Sequence, residues 1–272
     1  MQKKKREEKL GRHKKMRLSK SGMLKYLKCP KDFYYDYEVG LRKGRPAPDP
    51  GSPLEIGSEV HKIFEDYYKV PEARTVEEPY YKNIFDILME MPNAYKYDDH
   101  MKHFALFNQK QIVGHSQKGQ DIRAKGVPGY IPEEMETTYY NETLNIIGII
   151  DRVDKEENGY RVIDYKSGKD KPIITHKRDG TVQDNYFFEL CYYAFLYELE
   201  TKREVYDAGI YFSKANKFVT VVITEEDKEM ALDKILLIKK LVEDKVYPEE
   251  PSYLCKWCDN APICTVDFLE EY

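Results

Sequence analysis

Residues 146–168 read IIGIIDRVDKEENGYRVIDYKSG and contain the clearest structural signal in the chain. Two runs rich in Ile, Val and Tyr flank the dipeptide Asn158-Gly159, an arrangement that is typical of a β-hairpin with a two-residue turn. The run METTYY at 135–140 predicts another strand before them. We therefore expect a sheet built around this hairpin, and the charged residues of the hairpin become candidates for a functional site.

Three charged side chains of the hairpin are predicted to share one face of the sheet. A turn at residues 158–159 places Asp151 opposite Lys166. A turn at residues 157–158 instead places Asp151 opposite Asp164. Because side chains alternate along a strand with a period of two, Asp151, Asp164 and Lys166 face the same way in both registers.

Two carboxylates and an ammonium on one face predict a site for a hard divalent cation. Mg²⁺ and Mn²⁺ prefer oxygen ligands and are commonly held by one or two carboxylates. Lys166 would orient or deprotonate a water and offset negative charge on a phosphate. His61, with Glu65 one helical turn later, is a further candidate. The alternative is a cross-strand salt bridge on a solvated face. Arg152 alternates to the opposite face and receives no catalytic role.

The rest of the chain predicts helices on both sides of the hairpin and two later strands. Ser19 or Ser21 can cap a first helix that Pro30 interrupts, and a loop rich in Pro and Gly follows at 42–53. The other predicted elements are helices over 54–69, 75–115, 185–200 and 225–245 and strands over 205–213 and 217–224. This order predicts an α/β or α+β fold in which helices pack against a mixed sheet.

We expect four segments along the chain: a basic tail at 1–17, a helical region at 18–135, a core at 136–250 and a cysteine segment at 251–272. Residues 3–17 contain nine Lys or Arg and two acids, a charge of +7, so the remainder of this chain of net charge −4 carries −4 − 7 = −11. A nucleic-acid partner would therefore need a local basic groove, with the tail as an auxiliary contact or simply as a solvated terminus.

The composition excludes several classes of protein. Of 272 residues, 41% are hydrophobic and 34% are charged, which supports one or two packed units and excludes a wholly disordered chain. No apolar run approaches the roughly 20 residues that span a bilayer. No apolar segment follows the basic N-terminus, as one does in a secretory signal. We therefore expect a cytoplasmic or nucleoid-associated protein whose cysteines favour metal binding over disulfides.

The pattern C-x2-C-x5-C, formed by Cys255, Cys258 and Cys264, predicts a metal or cluster site that lacks one ligand. Cys29 and Cys191 are the candidates for the fourth ligand. Cys191 lies in the middle of an apolar helix, where a buried thiol is ordinary. Cys29 ends a helix directly before a proline, and we select it. Spacing alone leaves both zinc and an iron–sulfur cluster open.

Six motifs follow one another in the chain: LSKSGMLKYLKCPKDFYYDY, GSEVHKIFEDY, GIIDRVD, VIDYKSGK, FELCYYAFLY and the cysteine triplet. In order and spacing they resemble the iron–sulfur RecB-like nucleases of the PD-(D/E)xK superfamily, which include the AddB-type nuclease domain and the CRISPR-associated exonuclease. The resemblance covers residues 18–69 and 144–264. It implies a restriction-endonuclease-like core, with a mixed central sheet flanked by helices and a helical part stapled by an iron–sulfur cluster. Residues 70–140 form a longer stretch than in compact members, and the role of residues 70–135 stays open.

The resemblance also implies roles for the matched residues. Ligands of a catalytic Mg²⁺ or Mn²⁺ would be His61, Asp151, Asp164 and the carbonyl group of Tyr165. The catalytic lysine would be Lys166. A [4Fe–4S] cluster would be held by Cys29, Cys255, Cys258 and Cys264.

Contacts with DNA are implied for the helix Phe187–Tyr197, which resembles the Q-L-x-x-Y motif of the family. Tyr193 occupies the tyrosine position, but Glu189 stands where glutamine is usual, and its carboxylate would repel a phosphate. Tyr34, Tyr35 and Tyr193 are candidates for stacking against bases.

We expect from these motifs a Mg²⁺- or Mn²⁺-dependent DNA exonuclease that acts on single-stranded ends by in-line attack of water on phosphorus. DNA repair or recombination, CRISPR adaptation and viral DNA processing are all compatible settings. The alternative is a DNA-binding or anchoring subunit of a helicase or integrase complex in which hydrolysis is weak or dispensable. The sequence has no G-x4-G-K-[ST] motif, so an unwinding partner would be a separate chain. A membrane partner is not expected.

Overall fold

The computed structural model describes four stretches of the chain, residues 17–41, 49–119, 127–173 and 185–264. They fall into two compact units, each assembled from parts that are distant in sequence. Unit 1 consists of Met1–Pro46, Tyr140–Gly148 and Glu226–Tyr272. Unit 2 consists of Ala47–Tyr139 and Ile149–Glu225. The four predicted segments stay a prediction, and the basic tail at 1–16 lies outside the described residues. No helix in the described stretches combines the length and hydropathy needed to cross a membrane.

The secondary structure follows the predicted order. The strands are β1 (Leu18–Ser19), β2 (Glu134–Asn141), β3 (Ile146–Glu156), β4 (Gly159–Lys166), β5 (Val205–Phe212) and β6 (Lys217–Val222). The helices are α1 (Lys20–Lys28), α2 (Pro30–Phe33), α3 (Pro53–Tyr67), α4 (Tyr80–Met89), α5 (Asp98–Gln117), α6 (Asn185–Thr201) and α7 (Glu225–Glu243). The helix predicted over 75–115 is therefore two helices, separated where Asn93 adopts a left-handed backbone with φ 65°.

The hairpin of unit 2 is antiparallel and uses the second of the two predicted registers. Arg152 lies opposite Ile163, and Glu156 lies opposite Gly159. Paired residue numbers therefore sum to 315, and the same register places Asp151 opposite Asp164. The turn consists of residues 157–158, the second of the two positions that the sequence leaves open.

The position of Gly159 explains this register. Its φ is +139°, and a Cβ atom added there would lie 2.7 Å from the backbone oxygen of Glu204. The neighbouring Tyr160 donates its backbone N–H to the same oxygen at 2.9 Å. Gly159 is thus required where another segment approaches the strand closely, and this requirement moves the turn by one residue.

The sheet of unit 2 is mixed and has helices on both faces. Strand β4 pairs in parallel with β5, and β5 pairs antiparallel with β6. A parallel pair needs a crossover connection, and α6, which lies between the two strands in sequence, packs against both. On the other face α3 and α5 supply an aromatic core, in which Phe64 stacks on Phe104 at 3.7 Å and contacts Tyr165 at 5.3 Å between ring centroids.

Unit 1 joins residues near both ends of the sequence. Ser19 caps α1 by accepting a hydrogen bond from the backbone of Gly22 at 3.1 Å, as predicted. Helix α1 ends at Lys28, and Pro30 begins α2 directly after the extended backbone of Cys29. Strand β1 pairs in parallel with the first residues of β3. The Tyr26 hydroxyl donates to the carbonyl oxygen of Val246 at 2.7 Å.

Candidate active site and cysteine site

A buried charged cluster lies at the carboxyl end of β4 in unit 2. Lys166 is the last residue of that strand, and its Nζ atom lies 2.6 Å from Oδ2 of Asp164. The same Nζ atom lies 3.1 Å from Oε1 of Glu189 on α6. Asp164 and Glu189 are both buried. The strand and the helix that covers it therefore place one ammonium between two carboxylates.

Three potential metal ligands meet beside this cluster. His61, Glu136 and Asp151 each offer one ligand atom, and these atoms all lie within 4.8 Å of one another. Nδ1 of His61 lies 3.5 Å from Oδ2 of Asp151 and 3.9 Å from Oε1 of Glu136. The Asp151 carboxylate also accepts the backbone N–H of Tyr165 at 2.7 Å, which orients it. Two carboxylate oxygens and an imidazole nitrogen are suitable donors for Mg²⁺ or Mn²⁺.

The electrostatics of this group favour the binding of a cation. Burial raises the pKa of Glu136 to about 7, and the negative charge of Asp151 acts in the same direction. Burial lowers the pKa of His61, although Asp164 and Glu136 oppose that effect. A neutral imidazole is the form that binds metal, and a cation would relieve the repulsion between the carboxylates.

Helix α3 carries His61 to the sheet through a close approach at Gly57, one helical turn earlier. A Cβ atom added at Gly57 would lie 3.3 Å from Oγ of Ser167, the residue that follows β4. Glycine inside a helix is unfavourable by roughly 0.5–1 kcal/mol relative to alanine, so a close contact is a physical reason for it. The imidazole then reaches the backbone of Tyr165, with which it forms a hydrogen bond.

Sequence reasoning missed Glu136. The residue lies in β2 and has a left-handed backbone with φ 45°. Its neighbours Glu133 and Glu134 are also acidic, so no alternation of polar and apolar residues singles it out. The direction of its side chain depends on the unusual φ, which sequence patterns indicate reliably only for glycine.

The other predicted site residues occupy distinct positions. Asp164 lies against Lys166 and is not part of the three-ligand group, although its charge acts on the pKa of His61. Glu65 pairs with Lys62 on its own helix and with Lys69 just after that helix. The metal and catalytic roles of all these residues stay predictions.

Two predicted DNA contacts on α6 are buried. Glu189 is 3% exposed, and its carboxylate faces the Lys166 ammonium, which offsets the negative charge that is expected to repel a phosphate. Tyr193 is 4% exposed, and burial raises its pKa, with Asp164 and Glu189 adding to the effect. Its ring has no open face of the kind that base stacking uses. A DNA contact by either residue stays a prediction.

The four cysteines selected from the sequence line one pocket of unit 1. Its lining includes Cys29, Cys255, Cys258 and Cys264, together with Asp32, Tyr35 and Asn260. Cys191, the rejected candidate, is buried in α6 of unit 2. Burial raises the pKa of Cys258 to about 11, and its thiol donates a hydrogen bond to Asp32 at 3.4 Å. A metal ion that binds the Cys258 sulfur would therefore have to displace a proton.

Tyr34 and Tyr35 are partly exposed and lie close to this pocket in unit 1. The Nζ atom of Lys31 lies 5.7 Å from the ring centroid of Tyr34 and 5.8 Å from that of Tyr35. The Tyr35 hydroxyl donates to the carbonyl oxygen of Ile263 at 3.0 Å. A cation beside two aromatic rings has the composition of a surface that binds single-stranded nucleic acid.

Comparisons with known proteins show which family model matches this chain. The model of the PD-(D/E)XK nuclease superfamily matches residues 17–265. One subunit of the ATP-dependent helicase/deoxyribonuclease of Clostridium tetani is 27% identical over 266 residues, which cover 84% of this chain and 22% of that protein. The CRISPR-associated exonuclease Cas4/endonuclease Cas1 fusion of Leptospira interrogans is 28% identical over 128 residues, which cover 46% of this chain and 23% of that protein.

The chain thus spans less than a quarter of the length of either curated relative. Among solved structures, a presumptive exonuclease from Eubacterium rectale superposes with a TM-score of 0.48 and 13% identity, covering 92% of this chain and 88% of that chain.

Proposed function

Because the chain belongs to the PD-(D/E)XK nuclease superfamily, we propose that it is a divalent-metal-dependent DNA exonuclease acting on single-stranded ends. The observation that supports this proposal is the group formed by His61, Glu136 and Asp151, whose ligand atoms lie within 4.8 Å of one another. The Lys166 ammonium, held by two carboxylates, lies on the same hairpin as Asp151. A divalent cation held by this group and the ammonium of Lys166 would supply the positive charge that stabilises phosphodiester hydrolysis.

The donor set fits Mg²⁺ or Mn²⁺. We propose that His61, Glu136 and Asp151 hold the cation, together with Asp164 and the carbonyl group of Tyr165. A bound cation of this kind acts as a Lewis acid and lowers the pKa of a coordinated water. The lowered pKa of His61 keeps its imidazole neutral and available near pH 7.

The ammonium of Lys166 is the cation that this chain itself contributes. We propose that it offsets the negative charge that develops on the phosphate and orients the attacking water. Its stem ends at the carboxyl end of β4, where the side chain is 25% exposed and therefore accessible to a substrate. Asp164 and Glu189 hold it in place from either side.

A single-stranded end is the substrate that the aromatic and basic residues favour. Lys31, whose ammonium pairs with Glu249 at 3.2 Å, would offer a phosphate contact beside the rings of Tyr34 and Tyr35 once a phosphate competes with that carboxylate. The names of the two curated relatives include a deoxyribonuclease and an exonuclease. We therefore propose DNA as the polymer and chain ends as the point of attack.

The proposal can be tested with labelled DNA in Mn²⁺. Linear and circular single strands and blunt duplexes would be incubated with wild-type protein and with the variants Asp164→Asn and Lys166→Ala. We expect cleavage of linear single strands and loss of about 10²-fold or more in both variants. Matched controls are Asp170→Asn and Lys169→Ala, which change exposed residues just after the site and should retain activity.

Three results would contradict this assignment in different ways. Cleavage of circular single strands would show endonuclease activity. Equal activity in wild type and both site variants would exclude the catalytic assignment of Asp164 and Lys166. Tight DNA binding without hydrolysis by the wild type would support the alternative, a DNA-anchoring subunit.

We further propose that the pocket in unit 1 binds a [4Fe–4S] cluster through Cys29, Cys255, Cys258 and Cys264. All four thiols line that pocket. Four thiolates are suitable ligands for a [4Fe–4S] cluster or for a single zinc ion, and the family resemblance favours the cluster.

The colour of anaerobically purified protein distinguishes the two possibilities. A cluster gives a brown protein with broad absorbance near ~400 nm and measurable iron and sulfide. Cys29→Ser should abolish the absorbance, whereas Cys191→Ser should retain it. Colourless protein that contains one zinc per chain would contradict the cluster.

A separate protein is the expected partner for unwinding or integration. The relative from Clostridium tetani is named as a subunit of a helicase/deoxyribonuclease, and that from Leptospira interrogans as a fusion with an endonuclease. We propose that the nuclease acts beside a helicase or an integrase supplied as another chain. Co-purification of the intact protein from its own cells, with and without nuclease treatment of the lysate, would test for such a partner.

A further inference from the structure

Glu189 is a buried carboxylate whose environment differs from that of every neighbour on its helix. Between Phe187 and Tyr197 it is the only charged residue in a run of apolar and aromatic side chains. It is 3% exposed, and its Oε1 atom lies 3.1 Å from Nζ of Lys166. A buried charge is tolerated when it has an oppositely charged partner, so Glu189 and Lys166 form a mutually dependent pair.

Glu189 also occupies a position at which glutamine is usual in the nucleases that this sequence resembles. A glutamine oxygen can accept a hydrogen bond from an ammonium, but it carries no charge. The glutamate therefore adds an attraction that acts on Lys166 and that a glutamine would lack. Glu189 is absent from the three-ligand group of His61, Glu136 and Asp151, and its ion pair is with the lysine and not with the proposed metal ligands.

Asp164 cannot attract the Lys166 ammonium equally strongly throughout the proposed reaction. Its Oδ2 atom lies 2.6 Å from Nζ of Lys166, and the same carboxylate is a proposed ligand of the divalent cation. A carboxylate that binds a cation attracts a neighbouring ammonium less strongly, because its charge is shared. A long, flexible lysine stem then needs a second anchor to stay in one position.

We propose that Glu189 is a positioning residue that holds the Lys166 ammonium at the site when Asp164 binds the divalent cation. The inference rests on the proposed nuclease function and concerns the same site. It assigns to Glu189 neither metal binding nor direct contact with DNA. In this chain a charged residue would thus position the catalytic lysine. Related nucleases are expected to have a neutral glutamine at the same place.

The test compares Glu189→Gln, Glu189→Leu and the control Glu200→Gln, an exposed residue on the same helix. We expect kcat on linear single-stranded DNA to fall about tenfold in the glutamine variant and about a hundredfold in the leucine variant. KM, and the Mn²⁺ dissociation constant measured by calorimetry, should stay within about twofold of the wild-type values, because the proposal assigns Glu189 no contact with DNA or metal. The control should behave as wild type.

A second measurement reports on Lys166 without requiring cleavage. Acetylation of lysine amines at a fixed pH, followed by mass spectrometry, should modify Lys166 several-fold faster in the leucine variant than in wild type. Lys169, which is exposed, is the internal control. The nearly isosteric glutamine variant gives the same comparison, with a smaller increase, if the leucine variant fails to fold.

The possible results separate this inference from the proposed function. Wild-type protein that cleaves no DNA contradicts the nuclease proposal, whereas the acetylation rates still test Glu189. An unchanged acetylation rate of Lys166, or a kcat of the leucine variant equal to that of wild type, overturns the inference. Loss of Mn²⁺ binding in either variant also overturns it, because Glu189 would then act at the metal.

Discussion

Among single residues, Glu136 combines two unfavourable features that a bound cation would offset. Its left-handed backbone, with φ 45°, costs on the order of 1 kcal/mol for a residue other than glycine. Its carboxyl is partly buried beside Asp151, which helps to raise its pKa to about 7. Such conformations persist where the surrounding structure enforces them, and they are typical of functional sites. The folded chain therefore holds Glu136 in the orientation that metal binding needs.

Replacement of Glu136 with glutamine should weaken Mn²⁺ binding by about tenfold or more, because a charged oxygen ligand becomes a neutral amide oxygen. Calorimetric titration at pH 7.5 would measure the change. Glu133→Gln, in the same acidic run, is the matched control. An affinity equal to that of wild type would exclude Glu136 from the ligand set.

The same variant should change how stability depends on pH in metal-free buffer. The pKa of Glu136 is about 7 in the folded chain and near 4.5 when it is unperturbed. Because the folded state binds this proton more tightly, the stabilisation is present below pH 4.5 and is lost as the pH rises to about 7. The melting temperature of wild type should therefore fall between these pH values by more than that of Glu136→Gln, and parallel curves would contradict the assignment.

Arg152 shows how a motif residue can be structural. Its side chain is fully buried. It donates one hydrogen bond from Nε to Oδ1 of Asp154 at 2.7 Å and another from Nη2 to the carbonyl oxygen of Tyr130 at 3.2 Å. Arg152→Met would leave the buried Asp154 without this partner, which should destabilise the fold by about 3–5 kcal/mol. Urea unfolding would measure the loss.

The double variant Arg152→Met with Asp154→Leu should recover much of that stability, because no unpaired charge then stays buried. Mn²⁺ affinity should not change in either variant that folds, since Arg152 faces away from Asp151. Reduced metal affinity at unchanged stability would instead point to a role at the site.

The residues of the candidate site differ in how far the sequence predicts them. Strand alternation is sufficient to place Asp164 and Lys166 on one face, because a period of two is insensitive to the turn chosen. His61 is a weak candidate until the family resemblance supports it, since a lone histidine on a helix has no periodic signal. Glu136 could not be predicted, because its orientation depends on a backbone conformation that its own residue type disfavours.

At the level of secondary-structure elements, close approaches at two glycines determine where the turn lies and how near the helix comes to the sheet. Gly159 permits contact with the carbonyl oxygen of Glu204, and this contact overrides the preference of Asn-Gly for the turn. Gly57 permits α3 to approach Ser167, which carries His61 toward the hairpin. The sequence predicts that these elements exist, but the approach of one backbone to another is a tertiary property that local patterns do not report.

The cysteine segment contains its own spectroscopic reporter. Trp257 is the sole tryptophan, lies between Cys255 and Cys258, and is 73% exposed. A cluster bound by the flanking thiols would absorb its emission, so fluorescence should rise several-fold when the cluster is removed by acid and iron chelation. Lys256→Ala is a control that should show the same rise. Emission that is equal before and after removal would argue against a cluster at these cysteines.

On the scale of the whole molecule, both units are assembled from distant parts of the sequence. In unit 1, Nδ2 of Asn260 donates to Oδ1 of Asp32 at 2.7 Å, and the Tyr35 hydroxyl reaches the carbonyl oxygen of Ile263. The selection of Cys29 as fourth ligand stays a prediction, and it requires the two segments to meet in this way. The discontinuous units themselves could not be predicted from periodicity, because periodicity describes neighbours in sequence, whereas these contacts join positions that are far apart.

Closure of unit 1 through the proposed cluster makes a prediction about two segments at once. Cys29→Ser should increase amide hydrogen exchange in both 20–38 and 249–264, since a ligand shared by distant segments restricts both of them. The neighbouring exposed Lys28→Ser is the matched control and should leave exchange unchanged. An increase confined to 20–38 would mean that Cys29 stabilises only its own helix pair, and the fourth ligand would then have to be sought elsewhere.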